Sequence, residues 1–207
     1  MKKIFLLSLM LVFVFASTTL YAAEKYDLGM GNIALKVDYL NFTESLDNID
    51  LDLENAIYVG LEGYYSIYPN LYLGMEAGWA GSKNDDQVEG IDVDIDLQFI
   101  PIELNLKYVF ELDPNWNIGV GAGVSYSFLD IELSGIDRDA DDWIFGGQVF
   151  ADINYKMSAQ WFLGIEGKYQ FTEDLEFDNV ELLDGGDVET NISANNWRVG
   201  AKIGYMF

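Results

Sequence analysis

The groups in this chain that could do chemistry are its carboxylates. It contains 35 Asp and Glu residues against 11 Lys and Arg residues, and it has neither histidine nor cysteine. Without histidine the Ser-His and Asp-His pairs of hydrolases are impossible, and without cysteine no disulfide can form. Two carboxylates can act together as acid and base, but acidic pairs are too frequent here for any one of them to indicate a site. We therefore predict that the protein is not an enzyme, and its acidity argues against a nucleic acid partner.

Most of the carboxylates are concentrated in four segments, where they often alternate with apolar residues. Twenty-five of the 35 lie there, opposed only by Lys83 and Arg138. The segments are 41–54, 81–96, 129–142 and 172–196. Because Ca²⁺ prefers several carboxylate oxygens, one interpretation is a divalent cation site with Asp92, Asp94 and Asp96 as candidate ligands. The other interpretation is a solvated surface that repels itself, and no other cofactor is predicted.

The last eleven residues, 197–207, show most clearly the element that positions the charged side chains. Apolar and aromatic residues occupy the odd positions, from Trp197 to Phe207, whereas Arg198 and Lys202 share the even positions with glycine. This period of two predicts a strand with one apolar face. Its length matches a tilted membrane strand of roughly 9–11 residues, and its aromatic ends match the girdles at membrane interfaces.

The same alternation recurs in seven earlier segments, so the sequence predicts eight strands. Their second face combines glycine with isolated charges of both signs, which suits a crowded lumen, whereas the apolar face suits lipid. Backbone groups in lipid must all be paired, which requires closure. The predicted fold is all-β, an eight-stranded antiparallel up-and-down transmembrane β-barrel, and a soluble β-sandwich is the alternative. Short connections at 68–70, 111–115 and 156–160 alternate with the four long acidic ones, as in outer-membrane barrels.

One predicted strand changes phase. Its apolar residues are odd-numbered up to Phe99 and even-numbered after Pro101. Since a slip of one residue turns every side chain over, the sequence predicts a β-bulge at 99–101.

The isolated charges of the second face predict an ion-pair network inside the barrel. The candidate members are Lys36, Glu62, Glu76, Glu103, Lys107, Glu166, Lys168, Arg198 and Lys202. Eight strands leave an interior just wide enough for side chains, and a lone buried charge costs several kcal/mol, so these groups should be paired. Such a network would plug the barrel. A narrow path for ions or small solutes, including hydrophobic ones, is the alternative.

The N-terminal segment is predicted to be removed. Lys2 and Lys3 precede an apolar run, and small residues precede Glu24. This order is typical of a secretory signal peptide covering 1–23, with the barrel covering 24–207. The alternative is an N-terminal anchor helix, but the apolar run is short of the roughly 20 residues that a membrane-spanning helix needs.

With these features the chain resembles the small outer-membrane β-barrel proteins of Gram-negative bacteria, the group of OmpX-like and opacity-type proteins and the OmpA barrel. The segments that carry the resemblance are the signal peptide, 58–74, 101–108 and the final strand. It implies a place in the outer membrane, contact with its lipid and lipopolysaccharide, and reading of the final strand by the barrel-assembly machinery, with Tyr205 and Phe207 as the signal. Members share the fold and differ in role. The predicted role is structural or surface interaction, and a pore or transporter is the alternative.

Overall fold

The computed structural model describes residues 28–43, 55–88, 91–134, 138–181 and 187–207, with the backbone alone for 82–88, 91–96, 131–134, 138–142, 174–181 and 187–193. The predicted signal peptide lies outside these ranges. The described residues form ten strands: β1 (Gly31–Phe42), β2 (Ala56–Tyr68), β3 (Leu71–Val88), β4 (Ile91–Glu111), β5 (Trp116–Ser134), β6 (Arg138–Lys156), β7 (Trp161–Thr172), β8 (Asp174–Glu181), β9 (Asp187–Ser193) and β10 (Asn196–Met206). In the described part of the chain, no helix is long and apolar enough to span a membrane.

Eight strands close into one antiparallel barrel, in the order β1-β10-β7-β6-β5-β4-β3-β2. The predicted meander is therefore confirmed, and a sandwich of two sheets is excluded. β8 and β9 form a separate hairpin inside the last long connection. Burial alternates residue by residue along each wall; in β7, for example, Leu163 and Ile165 are exposed while Glu166 and Lys168 are buried. The apolar face thus points outward and the polar face lines the lumen.

Glycines on the inner face make room for aromatic rings of neighbouring residues. The ring of Tyr58 lies over Gly60 and Gly78, and a Cβ at Gly60 would come within 2.6 Å of that ring. The ring of Phe150 covers Gly121 in the same way. The small residues that the sequence places on this face are therefore needed for large side chains to lie flat against the wall.

The predicted bulge at 99–101 is wrong. The pairing of β4 with β5 runs without a shift from Glu111 to Asp94, and every second residue from Leu97 to Val109 is buried. The strand keeps its phase, so the inner face itself changes from polar to apolar at Phe99. Proline has no amide hydrogen to donate, and around Pro101 the β3–β4 ladder skips from Ala77 to Ala80 in the same register.

The barrel wall has two heights. β3, β4, β5 and β6 contain 18 to 21 residues each, whereas the other four barrel strands contain 11 to 13. β2 last pairs with β3 at Gly81, and β7 last pairs with β6 at Gly146. Beyond these points a four-stranded sheet continues alone, formed by 82–88, 91–97, 129–134 and 138–145; we call it the projecting sheet. Residues 92–96 and 130–132, where carboxylates alternate with apolar residues, thus lie in extensions of barrel strands, while 50–54 lie outside the described residues.

Candidate functional site

A layer of buried charged side chains lies in the middle of the lumen. Among the described residues it contains six carboxylates and five cations, each at most 4 % exposed. They are Asp38, Glu62, Glu76, Glu103, Asp152 and Glu166, with Lys36, Lys107, Lys168, Arg198 and Lys202. We call this set the charged layer. All nine sequence-predicted lumen residues belong to it, together with Asp38 and Asp152.

Like charges are neighbours along the wall of this layer. Glu62 stands opposite Glu76, and Glu76 opposite Glu103, so three adjacent strands carry a row of carboxylates. On the other side of the barrel Lys168 stands opposite Arg198, and Lys202 opposite Lys36. Like charges directly opposite on neighbouring strands repel. The favourable contacts must therefore form across the lumen.

The ion pairs connect these two walls. Lys168 Nζ lies 2.5 Å from Glu76 and 2.6 Å from Glu103, and Arg198 also binds Glu103. Each pair links residues more than 60 positions apart in the chain. The layer thus ties strands on opposite sides of the barrel to one another.

A second set of contacts converges on Glu166 of β7. Lys36 Nζ lies 2.6 Å from Glu166 and 3.3 Å from Glu76. Lys202 Nζ lies 2.8 Å from Glu166, 2.9 Å from Glu62 and 2.7 Å from Asp152. Shared donors of this kind make the layer one connected network.

Neutral side chains complete the layer. Tyr58 donates its hydroxyl hydrogen to Glu76 at 2.9 Å, and Asn105 donates to Glu103 at 3.1 Å. The ammonium group of Lys107 lies 3.2 Å from Asp152 and 3.7 Å from the centre of the Tyr64 ring. The ring face attracts the cation in addition to the carboxylate.

Three carboxylates of the layer come close enough to suggest a metal site. One oxygen each of Glu62, Glu76 and Glu166 lies within 4.8 Å of the other two. The ammonium groups of Lys36, Lys168 and Lys202 already contact these carboxylates. Because the lysines supply the positive charge that an ion would bring, the cluster fits a salt-bridge network better than a metal centre.

Apolar side chains cover the charged layer on the side of the short turns. The cluster consists of Leu28, Ala34, Tyr64, Tyr72, Val109, Phe150, Phe162 and Met206. Leu28 precedes the first strand and bends inward at Gly29, whose φ is 71°. Its amide donates to the Tyr72 hydroxyl at 3.2 Å, and that hydroxyl donates to the Gly29 carbonyl at 3.0 Å. The chain thus inserts a side chain into this end of the lumen.

A second apolar set covers the layer on the side of the long connections. Its buried members are Leu40, Phe42, Ala56, Ala80, Leu97, Phe99, Leu129, Ile144 and Ala194. The rings of Phe42 and Phe99 meet edge to face, with centroids 5.7 Å apart. In the described part of the chain, the charged layer therefore lies between two apolar layers.

The outer face of the barrel carries an apolar belt bounded by aromatic pairs. Trp161 packs against Tyr205 at the end with the short turns, and Tyr39 packs against Trp197 at the other end. Between them, side chains such as Ile165 are as much as 60 % exposed. A belt of exposed apolar side chains with aromatic girdles is the surface of a lipid-embedded barrel.

The sequence profile described as "Outer membrane protein beta-barrel domain" matches residues 6–207. The chain belongs to the family of outer-membrane β-barrel proteins. It is therefore a protein of the outer membrane, and its exposed apolar belt is the face that meets lipid. A comparison with curated protein sequences found no match.

Solved outer-membrane barrels share the fold at low sequence identity. The neisserial surface protein A has a TM-score of 0.64 and 14% identity, over 86% of this chain and 98% of that chain. OprG from Pseudomonas aeruginosa has a TM-score of 0.62 and 15% identity, over 88% and 99%. Ail, the attachment invasion locus protein of Yersinia pestis, has a TM-score of 0.51 and 11% identity, over 85% and 98%.

The predicted assembly residues of this barrel lie where its wall closes. Phe207 and Gly31 exchange two backbone hydrogen bonds, of 2.8 and 3.0 Å, between the two ends of the barrel. Gln160 donates to the Tyr205 hydroxyl at 2.6 Å. Recognition of Tyr205 and Phe207 by the assembly machinery stays a prediction.

The predicted cation ligands Asp92, Asp94 and Asp96 lie in β4, within the projecting sheet. Their side chains are outside the described part of the structure. The backbone register places Asp96 opposite Glu132, and Glu132 opposite Asp139. Cation binding at these residues stays a prediction.

The sequence prediction missed three features of the lumen. It did not include Asp38 and Asp152 among the members of the network. It did not anticipate the two apolar layers, although the phase change at Phe99 was the signal for one of them. Leu28 precedes the first predicted strand, and the alternation there carries no sign of its inward position.

Proposed function

We propose that this protein is a non-conducting outer-membrane barrel that acts at the cell surface through its projecting sheet. The first part is supported by the order of buried side chains along the lumen, which is an apolar set, the charged layer and a second apolar set. Ions would have to pass Phe42 and Phe99, then the paired charges, then the cluster around Leu28. Moving an ion through buried apolar layers is costly.

Single-channel recording in planar bilayers tests the closed barrel. The folded wild-type protein should give no stable conductance step. The Phe42→Ala/Phe99→Ala variant, which removes two rings from one apolar layer, should also stay silent because the charged layer remains. A stable step from the wild type would overturn the proposal and favour the narrow pore.

Charge and topology support the surface role. In barrels of this class the short turns lie on the periplasmic side and the longer connections outside the cell, so we assign the projecting sheet to the extracellular side. Ail has been solved in complex with the heparin analogue sucrose octasulfate, which is polyanionic. The acidic segments here, with only Lys83 and Arg138 among them, favour cations instead.

We extend the proposal to divalent cations that bridge the projecting sheet to anionic lipopolysaccharide. The row of Asp96, Glu132 and Asp139 offers carboxylates from three neighbouring strands, and Ca²⁺ takes several such oxygens. In the backbone register, Lys83 stands opposite Asp96 at one end of this row.

Calorimetry with Ca²⁺ tests this extension on the folded barrel. Binding heat at millimolar Ca²⁺ should be lost in Asp96→Asn/Glu132→Gln/Asp139→Asn. The control, Asp184→Asn/Asp187→Asn/Glu189→Gln, removes the same charge from a different connection and should retain the heat. Absence of heat in the wild type, or equal loss in both variants, would refute a site at this row.

A further inference from the structure

The charged layer has one carboxyl group more than it has cations. Among the described residues, six carboxyl groups stand against five cations, all buried between two apolar layers. If every group were ionised, the layer would hold an unpaired negative charge. Burying such a charge is so costly that an acid in this position takes up a proton instead. One more positive charge is therefore needed in the layer.

Asp38 is the carboxyl group with the weakest compensation. The one salt bridge of Asp38 in the described structure is to Lys36, whose Nζ lies 3.2 Å from Oδ2, and Arg198 attracts its charge only from beyond salt-bridge distance. Lys36 gives its hydrogen bonds to Glu166 and Glu76 rather than to Asp38. The other oxygen, Oδ1, has no hydrogen-bond partner although the residue is only 2 % exposed.

Glu62 provides a close comparison within the same layer. It too makes a single salt bridge in the described structure, to Lys202, and its Oε2 also has no hydrogen-bond partner. Lys202 donates a hydrogen bond of 2.9 Å to it, which stabilises the ionised form. Asp38 and Glu62 thus differ mainly in whether a charged donor binds the carboxylate.

The position of Asp38 disfavours its charge further. Leu40, which lies two residues after Asp38 in β1, belongs to the apolar layer around Phe99. In register, Asp38 stands opposite Tyr58 on β2 and Gly200 on β10. The Tyr58 hydroxyl donates to Glu76 and glycine has no side chain, so neither neighbour compensates the carboxylate.

We propose that Asp38 is a proton-binding site whose carboxyl group is neutral at neutral pH. Five ionised carboxylates then balance five cations. The proton replaces a bound ion as the sixth positive charge. This inference rests on the burial and composition of the charged layer and is independent of the surface role proposed above.

Infrared spectroscopy of the folded barrel tests the proton directly. At neutral pH, the spectrum should contain the carbonyl band of a protonated carboxylic acid. Labelling aspartate alone with ¹³C at the side-chain carboxyl should shift that band, and Asp38→Asn should remove it. The proposal would be overturned if the band is absent from the wild type. It would also be overturned if the aspartate label does not shift the band, or if the band is still present in Asp38→Asn.

The labelling experiment needs only the wild type, so it holds even where a variant folds poorly. Stability gives a second readout through the matched variants Asp38→Asn and Glu62→Gln. Asp38→Asn removes no charge and should leave the urea midpoint unchanged, whereas Glu62→Gln should lower it. An equal loss in both variants would show that Asp38 is ionised. The urea midpoint of the wild type can also be compared in sodium, potassium and choline salts. If it depends on the cation and the carbonyl band is absent, the layer binds an ion and the proposed proton is refuted.

Discussion

Carboxylates stand opposite one another on neighbouring strands in two regions of this barrel. In the charged layer the row is Glu62, Glu76 and Glu103. In the projecting sheet it is Asp96, Glu132 and Asp139. Both arrangements place like charges at the distance where they repel. The two regions differ in what lies across from each row.

Closure of the wall supplies the partners of the first row. The strands opposite carry Lys168, Arg198 and Lys202, whose charged groups reach across the lumen to the glutamates. The projecting sheet has no facing wall in the described residues, because β2 and β7 stop pairing with it at Gly81 and Gly146. A closed sheet can therefore turn repulsion along its wall into attraction across its interior. An open sheet must leave the same repulsion to solvent or to added cations.

The largest effect should come from removing an ionised carboxylate that several cations of the charged layer share. Glu76→Gln leaves Lys36, Lys168 and Arg198 without a shared partner in a buried site. We expect a loss of about 3–5 kcal/mol in the free energy of unfolding, the usual cost of breaking a buried ion pair from one side. Urea unfolding of the barrel in detergent micelles measures it.

The double variant Glu76→Gln/Lys168→Met is the control for that loss. Removing the cation together with its carboxylate should recover part of the stability, because less unpaired charge remains buried. If Glu76→Gln costs less than about 1 kcal/mol, as an exposed pair would, the charged layer is solvated and the comparison between the two regions fails.

The fold and the lumen side chains were predictable because the period of a strand is a backbone property. Side chains alternate whatever their neighbours are, so the polar positions of eight segments, Lys36 and Lys202 among them, could be assigned to one face from the sequence alone. Opposite charges on one inner face then had to pair. No long-range information was needed for either step.

The partner of each charge was not predictable, because it depends on which strands face each other across the lumen. Lys168 reaches Glu103 over 65 positions in the chain, and no local pattern encodes that distance. The bulge prediction failed for a related reason. It assumed that the inner face stays polar along its full height, whereas Leu97 and Phe99 face inward as part of an apolar layer. Hydrophobicity alone cannot separate a lipid-facing residue from an apolar residue that faces the lumen.

A smaller effect should follow from removing one neutral donor of the charged layer. Tyr58→Phe deletes the hydroxyl that binds Glu76 at 2.9 Å and keeps the ring over Gly60 and Gly78. We expect a loss of about 1.5–3 kcal/mol, the range for hydrogen bonds to charged groups. Tyr39→Phe, on the lipid-facing side, is the matched control and should change urea stability little. Equal losses in both variants would mean that the hydroxyl of Tyr58 does not support the network.

The smallest effect on stability should come from a substitution in the projecting sheet, and it should be a gain instead of a loss. In the backbone register, Glu132 stands between Asp96 and Asp139, so Glu132→Gln removes two cross-strand pairings of like charge. At low ionic strength and without divalent ions, it should stabilise the barrel by about 0.2–1 kcal/mol per contact. The gain should disappear in about 1 M salt, where charges are screened beyond about 3 Å, whereas the loss in Glu76→Gln should persist because that layer is buried. Thermal unfolding at the two salt concentrations measures both.

Adding Ca²⁺ sharpens the test: if an ion bridges the row, Glu132→Gln should become destabilising in its presence. A loss at low salt without Ca²⁺ would mean that Glu132 already has a cationic partner, and the contrast between the two regions would not hold.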